Sequence, residues 1–278
     1  MDSWTPTDII DIDAVLRTST RHVIVQTKSG EKAVFKSPHN PVGTHALVCE
    51  FVGTSLARLL DIPTFTLNIF ESNTLNILKG ERFPNAPGDG VGILIKWESG
   101  ATWKESPAVF SNIRNPKDIT KIVFFDTWVR NKDHYFPDDQ VDPNYDNLFF
   151  SGNVLAKKDC VVKAIDHTEA FKTFDFWLSD EHFHDDAIKD PAVFGLFPEF
   201  RDILDKKTAR ETIAKLARIP CGNVHKIIDQ LPVEWDFDQD KKDALFNFIM
   251  QRAEYVADTL FAKLFEPHQN QPPLLAGN

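Results

Sequence analysis

Between His22 and Lys36 the chain reads HVIVQTKSGEKAVFK, two β-rich runs joined by Lys28-Ser29-Gly30-Glu31. That pattern predicts a β-hairpin. A helical stretch follows at once. In GTHALVCEFVGTSLARLL, the residues Leu47, Val48, Phe51, Val52, Leu56, Leu59 and Leu60 fall near helical spacing. Thr44 is the expected cap and Asp61-Ile62-Pro63 the stop. Further strands are expected in TFTLNIFE, TLNILK and GVGILIKW. Past Glu98 the pattern changes. ESGATWKESP reads as a linker, and helices then dominate, in PKDITKIVFFDTWVRN and around 198–206, 208–218, 222–231 and 240–265. Only NLFF and CVVKAI read as strands there. Strands gathered at one end and helices at the other predict an α+β chain. The expected organisation is bilobal: a small β-rich lobe with one helix over residues 1–97, a mostly helical lobe over 98–278, and a disordered tail from about 266.

Bulk properties narrow the functional classes. A net charge of -10 argues against nucleic acid or an anionic membrane surface as a direct partner. The longest apolar stretches fall short of the roughly 20 residues that span a bilayer. The opening MDSWTPTDIIDID lacks the basic-then-apolar order of a signal peptide. Cys49, Cys160 and Cys221 are few, odd in number and far apart. They form no zinc pattern and point to a reducing, cytoplasmic setting.

The residues that could carry chemistry stand in an informative order. Lys36 ends the second hairpin strand, and Glu50 lies in the next helix. Asp133 and Asn147 flank a loop between a helix and a strand, and Asp166 follows the next strand. Singly, each has an ordinary explanation as a solvated strand end, a water-facing helix residue, a turn former or a cap. Together they supply what phosphoryl transfer needs. A cation meets the nucleotide phosphates and a carboxylate holds it. A second carboxylate receives the acceptor proton, and an Asn and an Asp hold the metal. Protein kinases place these residue types on the same elements in the same order.

Short motifs then carry a family resemblance. FDTWVRNKDH with the later DNLFF resembles the "N-x-D-R-H…N" loop of HipA-like kinases, of which phosphoinositide kinases share a distant version. VFKSP resembles that family's lysine strand, and the helix around Cys49-Glu50-Phe51, ending at LLDIP, its glutamate helix. AIDHTEAF resembles its metal-binding segment, and LPVEW a motif of its helical lobe. The resemblance runs from about Arg17 to about Phe265. It implies a protein-kinase-like fold and an ATP- and Mg2+-dependent kinase for Ser or Thr of a protein substrate. It also implies an antitoxin-like protein as a partner. By position, Lys36 would contact phosphates and Glu50 would pair with it. Asp133 would be the catalytic base, and Asn147 and Asp166 the magnesium ligands. The backbone of Ile95, Lys96 and Trp97 would meet adenine, and Ser19 and Thr20 would cover the phosphates.

The chain departs from the family pattern in three places. LRTSTRH, where the phosphate-covering loop should fall, has no glycine, so Thr18, Ser19 and Thr20 would serve with hydroxyls, beside Arg17 and Arg21. Asp133 and Asn147 stand fourteen positions apart, wider than the family's short spacing. His134 stands where an Arg is expected, and reads as a helix-end His favoured by the dipole. The inserted HYFPDDQVDPNY is expected either to face substrate or to be a solvated loop. EHFHDDAIKD, with His182 and His184, reads as an exposed polar loop or a metal site. Two alternatives to the protein kinase remain: a small-molecule or lipid-headgroup kinase, and a nucleotide- or partner-binding module without turnover.

Overall fold

Strand β1 (Ile9–Val15), β2 (Val23–Thr27), β3 (Lys32–Lys36), β4 (Leu67–Ser72) and β5 (Gly90–Lys96) form an antiparallel sheet in the order β1-β2-β3-β5-β4. The computed structural model describes residues 4–104, 107–136, 144–156, 159–171 and 185–266. The predicted hairpin is β2–β3, turned through Gly30 at φ 80°. Alternation along β3 and β5 sends Ala33, Phe35 and Leu94 to one face and Val34, Ile93 and Ile95 to the other. The first face packs on Trp4, Ile9, Ile12 and Leu75. The second faces helix α1 (His45–Leu59) and joins the main core. A central strand buried on both sides reads as a continuous apolar run, as GVGILIK does.

Two expectations fail in this region. TLNILK is not a strand but the short helix α2 (Leu75–Lys79). Its first N–H groups are satisfied from outside: the Asp89 carboxylate accepts from Leu75 N at 2.6 Å and Asn76 N at 3.0 Å. A negative group at a helix start is stabilising, and this one arrives from a distant loop. The Thr44 hydroxyl does not cap α1 either; it donates to the Trp235 carbonyl at 2.9 Å. Strand β1 was not expected, because bulges between Ile9 and Asp11 and between Ile12 and Ala14 break its alternation.

The remaining chain holds a second sheet, β6 (Gly100–Thr102), β7 (Leu148–Gly152) and β8 (Cys160–Ala164), in that order. Strand β6 replaces part of the expected linker. The helices are α3 (Asp118–Val129), α4 (Asp185–Ile188), α5 (Lys206–Leu216), α6 (Cys221–Ile228) and α7 (Gln239–Phe265). From Ile119 to Val129 only Lys121 on α3 is not buried, so this helix is the centre of the lobe rather than a surface element. The Trp128 indole donates to the Ile249 carbonyl of α7 at 2.8 Å. Arg252 on α7 is fully buried and donates to the carbonyls of Thr127, Ala187 and Ile188, tying the ends of α3 and α4 together. Trp235 reaches the small lobe: besides accepting from Thr44, it donates to the Val91 carbonyl at 2.7 Å. No helix among the described residues is long and apolar enough to cross a membrane. His182, His184, Pro137 to Pro143 and the tail after Glu266 lie outside the described residues.

Candidate active site

Strand β3 ends by delivering Lys36 into the space between the small sheet and the helical lobe. Its ammonium lies 3.2 Å from Glu50 Oε2 on α1 and 3.1 Å from Asp166 Oδ1 beyond β8. All three side chains come from separate elements, and Lys36 and Glu50 are buried. Burial disfavours the Lys36 ammonium, but the carboxylates of Asp166 and Glu50 outweigh it and raise its pKa. Burial likewise works against the Asp166 carboxylate, and Lys36 reverses that, holding it well below the usual range. Glu50 is pushed up by burial despite Lys36. The stable arrangement is therefore an ammonium held between two carboxylates, with Asp166 the more firmly ionised. Glu50 Oε2 also accepts the His167 backbone N–H at 2.8 Å, so α1 grips the segment that carries Asp166. Asp166 itself sits at φ 55°, a left-handed conformation uncommon for a non-glycine residue and often found at functional sites.

Asp133 lies past the end of α3, after Arg130 closes the helix in a left-handed C-cap. Both its oxygens are engaged: Asn144 Nδ2 donates to Oδ1 at 3.1 Å and Asn147 Nδ2 to Oδ2 at 2.6 Å. The fourteen-residue separation therefore does not separate Asp133 from Asn147. His134 is not a helix-end histidine. It is fully buried, with Nδ1 2.7 Å from Asp126 Oδ2 and Nε2 2.8 Å from the Ile165 carbonyl. A carbonyl can only accept, so Nε2 carries a proton, and Nδ1 faces a carboxylate. Burial disfavours the imidazolium, yet Asp126, aided by the Ile165 carbonyl and Asp133, raises it to about 9. Residue 134 thus straps the segment of Asp133 to that of Asp166.

Around this cluster the fit is close. His167 is buried against Phe125 and beside His134, and both its ring nitrogens lack partners among the described residues. Burial first, then His134, keeps it neutral. A Cβ on Gly53 would stand 2.6 Å from the His167 Cβ, so α1 approaches only because residue 53 has no side chain. In the glycine-free loop Ser19 is exposed, whereas Thr20 and His22 are buried and bonded to each other. His22 is lowered to about 3 by burial and by Lys36, which places it in the field of the same cluster.

Ile95, Lys96 and Trp97 lie at the end of β5, past Ile93, which pairs with Lys36. The N–H groups of Lys96 and Trp97 already donate to the carbonyls of Thr66 and Lys32. The Trp97 ring lies under Lys32, 4.4 Å from its ammonium.

The donor set suits a hard divalent cation. Asn147 Oδ1 and Asp166 Oδ2 have no hydrogen-bond partner among the described residues, and both are oxygens. No group of three or more His, Cys, Asp or Glu that could hold a metal occurs among the described residues. Each of the two oxygens is of the type magnesium prefers, an ion that takes few protein ligands and completes its shell with phosphate and water.

Asn144, His22, Asp126 and His167 were missed in the sequence. A charged residue inside the apolar run of α3 was a usable signal for Asp126. The others depend on contacts that no local pattern encodes.

The model of the family described as HipA-like kinase matches residues 12–265. Among solved structures, the Helicobacter pylori proinflammatory kinase CtkA is similar, at 13% identity over 94% of this chain and 99% of that one, with a TM-score of 0.55. A Golgi casein kinase with Mn/ADP bound shares 14% identity over 94% of this chain and 74% of its own, with a TM-score of 0.49. HipA of Shewanella oneidensis MR-1, in a complex with HipB and operator DNA, shares 13% over 95% and 68%, with a TM-score of 0.46. No curated protein matches.

Proposed function

The chain belongs to the HipA-like kinase family and is a kinase-like phosphotransferase, and on that premise we propose that it transfers the γ-phosphoryl group of ATP to a serine or threonine hydroxyl of a protein substrate, with Mg2+. The observation that carries this reading is Lys36 bonded at once to Glu50 and Asp166, across the junction of the two lobes. Lys36 meets the phosphates while Glu50 steadies it. Asp133 orients the acceptor hydroxyl and receives its proton as the oxygen–phosphorus bond forms. The bond from the γ-phosphorus to the bridging oxygen breaks, and ADP leaves with its electron pair. When bound, magnesium would neutralise phosphate charge, with Asn147 and Asp166 as its protein ligands.

Thr20 and His22, buried and bonded to each other, are assigned with exposed Ser19 to the loop that covers the phosphates. Adenine is assigned to the end of β5, through the carbonyls and flank of Ile95, Lys96 and Trp97, since two of the N–H groups are engaged. An antitoxin-like protein partner and a cytoplasmic setting complete the proposal; the free cysteines agree with a reducing compartment.

A second reading, a nucleotide-binding module without turnover, is favoured by the glycine-free loop with its inward His22. Incubation with γ-labelled ATP and Mg2+, with and without a protein mixture, separates the readings. Label on protein is expected. ATP consumption without protein labelling would point to a small-molecule or lipid-headgroup acceptor. Nucleotide binding with no consumption would support the module.

A further inference from the structure

The chain leaves the catalytic loop after His134 and returns at Asn144, and the two ends touch: Asn144 N–H donates to the His134 carbonyl at 3.2 Å. From this point of return the Asn144 side chain meets Asp133. Its Nδ2 donates to Asp133 Oδ1 at 3.1 Å, while its own Oδ1 accepts the Asp146 N–H at 3.2 Å. Its carbonyl accepts the Asn147 N–H at 3.3 Å. The turn therefore fixes the amide oxygen, and the nitrogen has to face the carboxylate. With Asn147 on Oδ2, each oxygen of Asp133 carries one amide donor. The terminal torsion of an Asp is broad when free, and a donor on each oxygen restricts it.

We propose that Asn144 is a positioning residue for Asp133, setting the plane of the carboxylate so that its remaining lone pairs face the acceptor hydroxyl. The proposal rests on the kinase reading of Asp133. Asn147 has a second duty, because its Oδ1 is left for the cation. Asn144 has none, because its Oδ1 is taken by the turn. The two amides should therefore separate in experiment: Asn147 acts on metal dependence and on the base, Asn144 on the base alone.

Asn144→Asp is the informative change. The new carboxylate still accepts the Asp146 N–H, so the turn persists, but it presents an acceptor to Asp133 in place of a donor. The expected result is unchanged circular dichroism, an unchanged KM for ATP, an unchanged magnesium requirement, and a kcat reduced at least about tenfold. The acid limb of the pH–rate profile should move to higher pH, because facing carboxylates disfavour each other's ionisation. Asn147→Ala should instead raise the magnesium requirement. A second measurement is independent of turnover: the carbon-13 carboxyl chemical shift of residue 133 at neutral pH should differ between Asn144→Asp and the wild type, because the amide donor on its Oδ1 is lost. A variant with wild-type kcat overturns the positioning role, whatever the resonance does. A resonance that does not move overturns the contact itself. A wild-type chain that transfers no phosphate would overturn the kinase reading instead, and the chemical shift would then still decide whether Asn144 holds Asp133.

Discussion

Lys36 and Asp166 stand 130 positions apart and meet at 3.1 Å, one from the small sheet and one from beyond β8. Asp166 is thereby held ionised, and the small lobe is pinned to the segment expected to hold metal. Lys36→Met would remove the cation and leave the Glu50 and Asp166 carboxylates facing each other with little solvent. Breaking a buried pair from one side costs about 3–5 kcal/mol. The expected outcome is a lower urea midpoint, together with lost phosphotransfer. A midpoint equal to the wild type would show that the cluster is not the electrostatic unit described.

Asp133→Asn should keep the fold, since an amide can replace one carboxylate oxygen as an acceptor from Asn144 or Asn147. It cannot receive the acceptor proton. Turnover should fall by on the order of a hundredfold to ten-thousandfold. Nucleotide affinity, measured by calorimetry, should stay close to the wild type. A rate half that of the wild type would remove Asp133 from the role of base.

His134 gives a pH dependence with a definite sign. Its folded pKa lies at about 9, above its ordinary 6.5. The stabilisation is therefore complete below about pH 6.5 and is lost as pH rises through about 9. Thermal melts of the wild type should fall over that window. His134→Gln should be less stable at pH 6 and flatter between pH 6.5 and 9. Equal pH slopes for the two proteins would exclude the His134–Asp126 pair as the cause.

Gly53→Ala tests the approach of α1 to His167. Helix propensity alone favours alanine by about 1 kcal/mol in a helix interior. The added Cβ would meet His167 Cβ at 2.6 Å, and overpacking typically costs about 1–3 kcal/mol. Destabilisation is expected, with weakened turnover, because α1 also carries Glu50. A stabilised variant would mean that the helix shifts without cost.

Much of the small lobe was legible because its signals are local. The Lys28–Glu31 turn and the apolar stripe of α1 are written in adjacent residues, and so, in the other lobe, are β7 and β8. Lys36, Glu50 and Asp166 were legible as an order of residue types, and the fold brings them within hydrogen-bonding distance. What was missed depends on distant partners. TLNILK is helical because Asp89 arrives to meet its first N–H groups. His134 is a strap because Asp126 and Ile165 lie on either side of it, which its place near the end of an apolar helix does not reveal. Asn144 sits in a run of turn residues, and only the closure at His134 turns it toward Asp133.

Trp235 accepts from Thr44 at the start of α1 and donates to Val91 in β5, so one side chain and its backbone touch both the helix that carries Glu50 and the strand beside Lys36. A cleft that admits a nucleotide by swinging its upper half away must break these bonds or carry residues 233–235 along with it. The first course would slow exchange of ligand, since both bonds would have to rupture together. The second makes the LPVEW segment part of the moving body, although the chain places it deep in the other half. The two halves of the chain are then coupled through Trp235 as well as through Lys36.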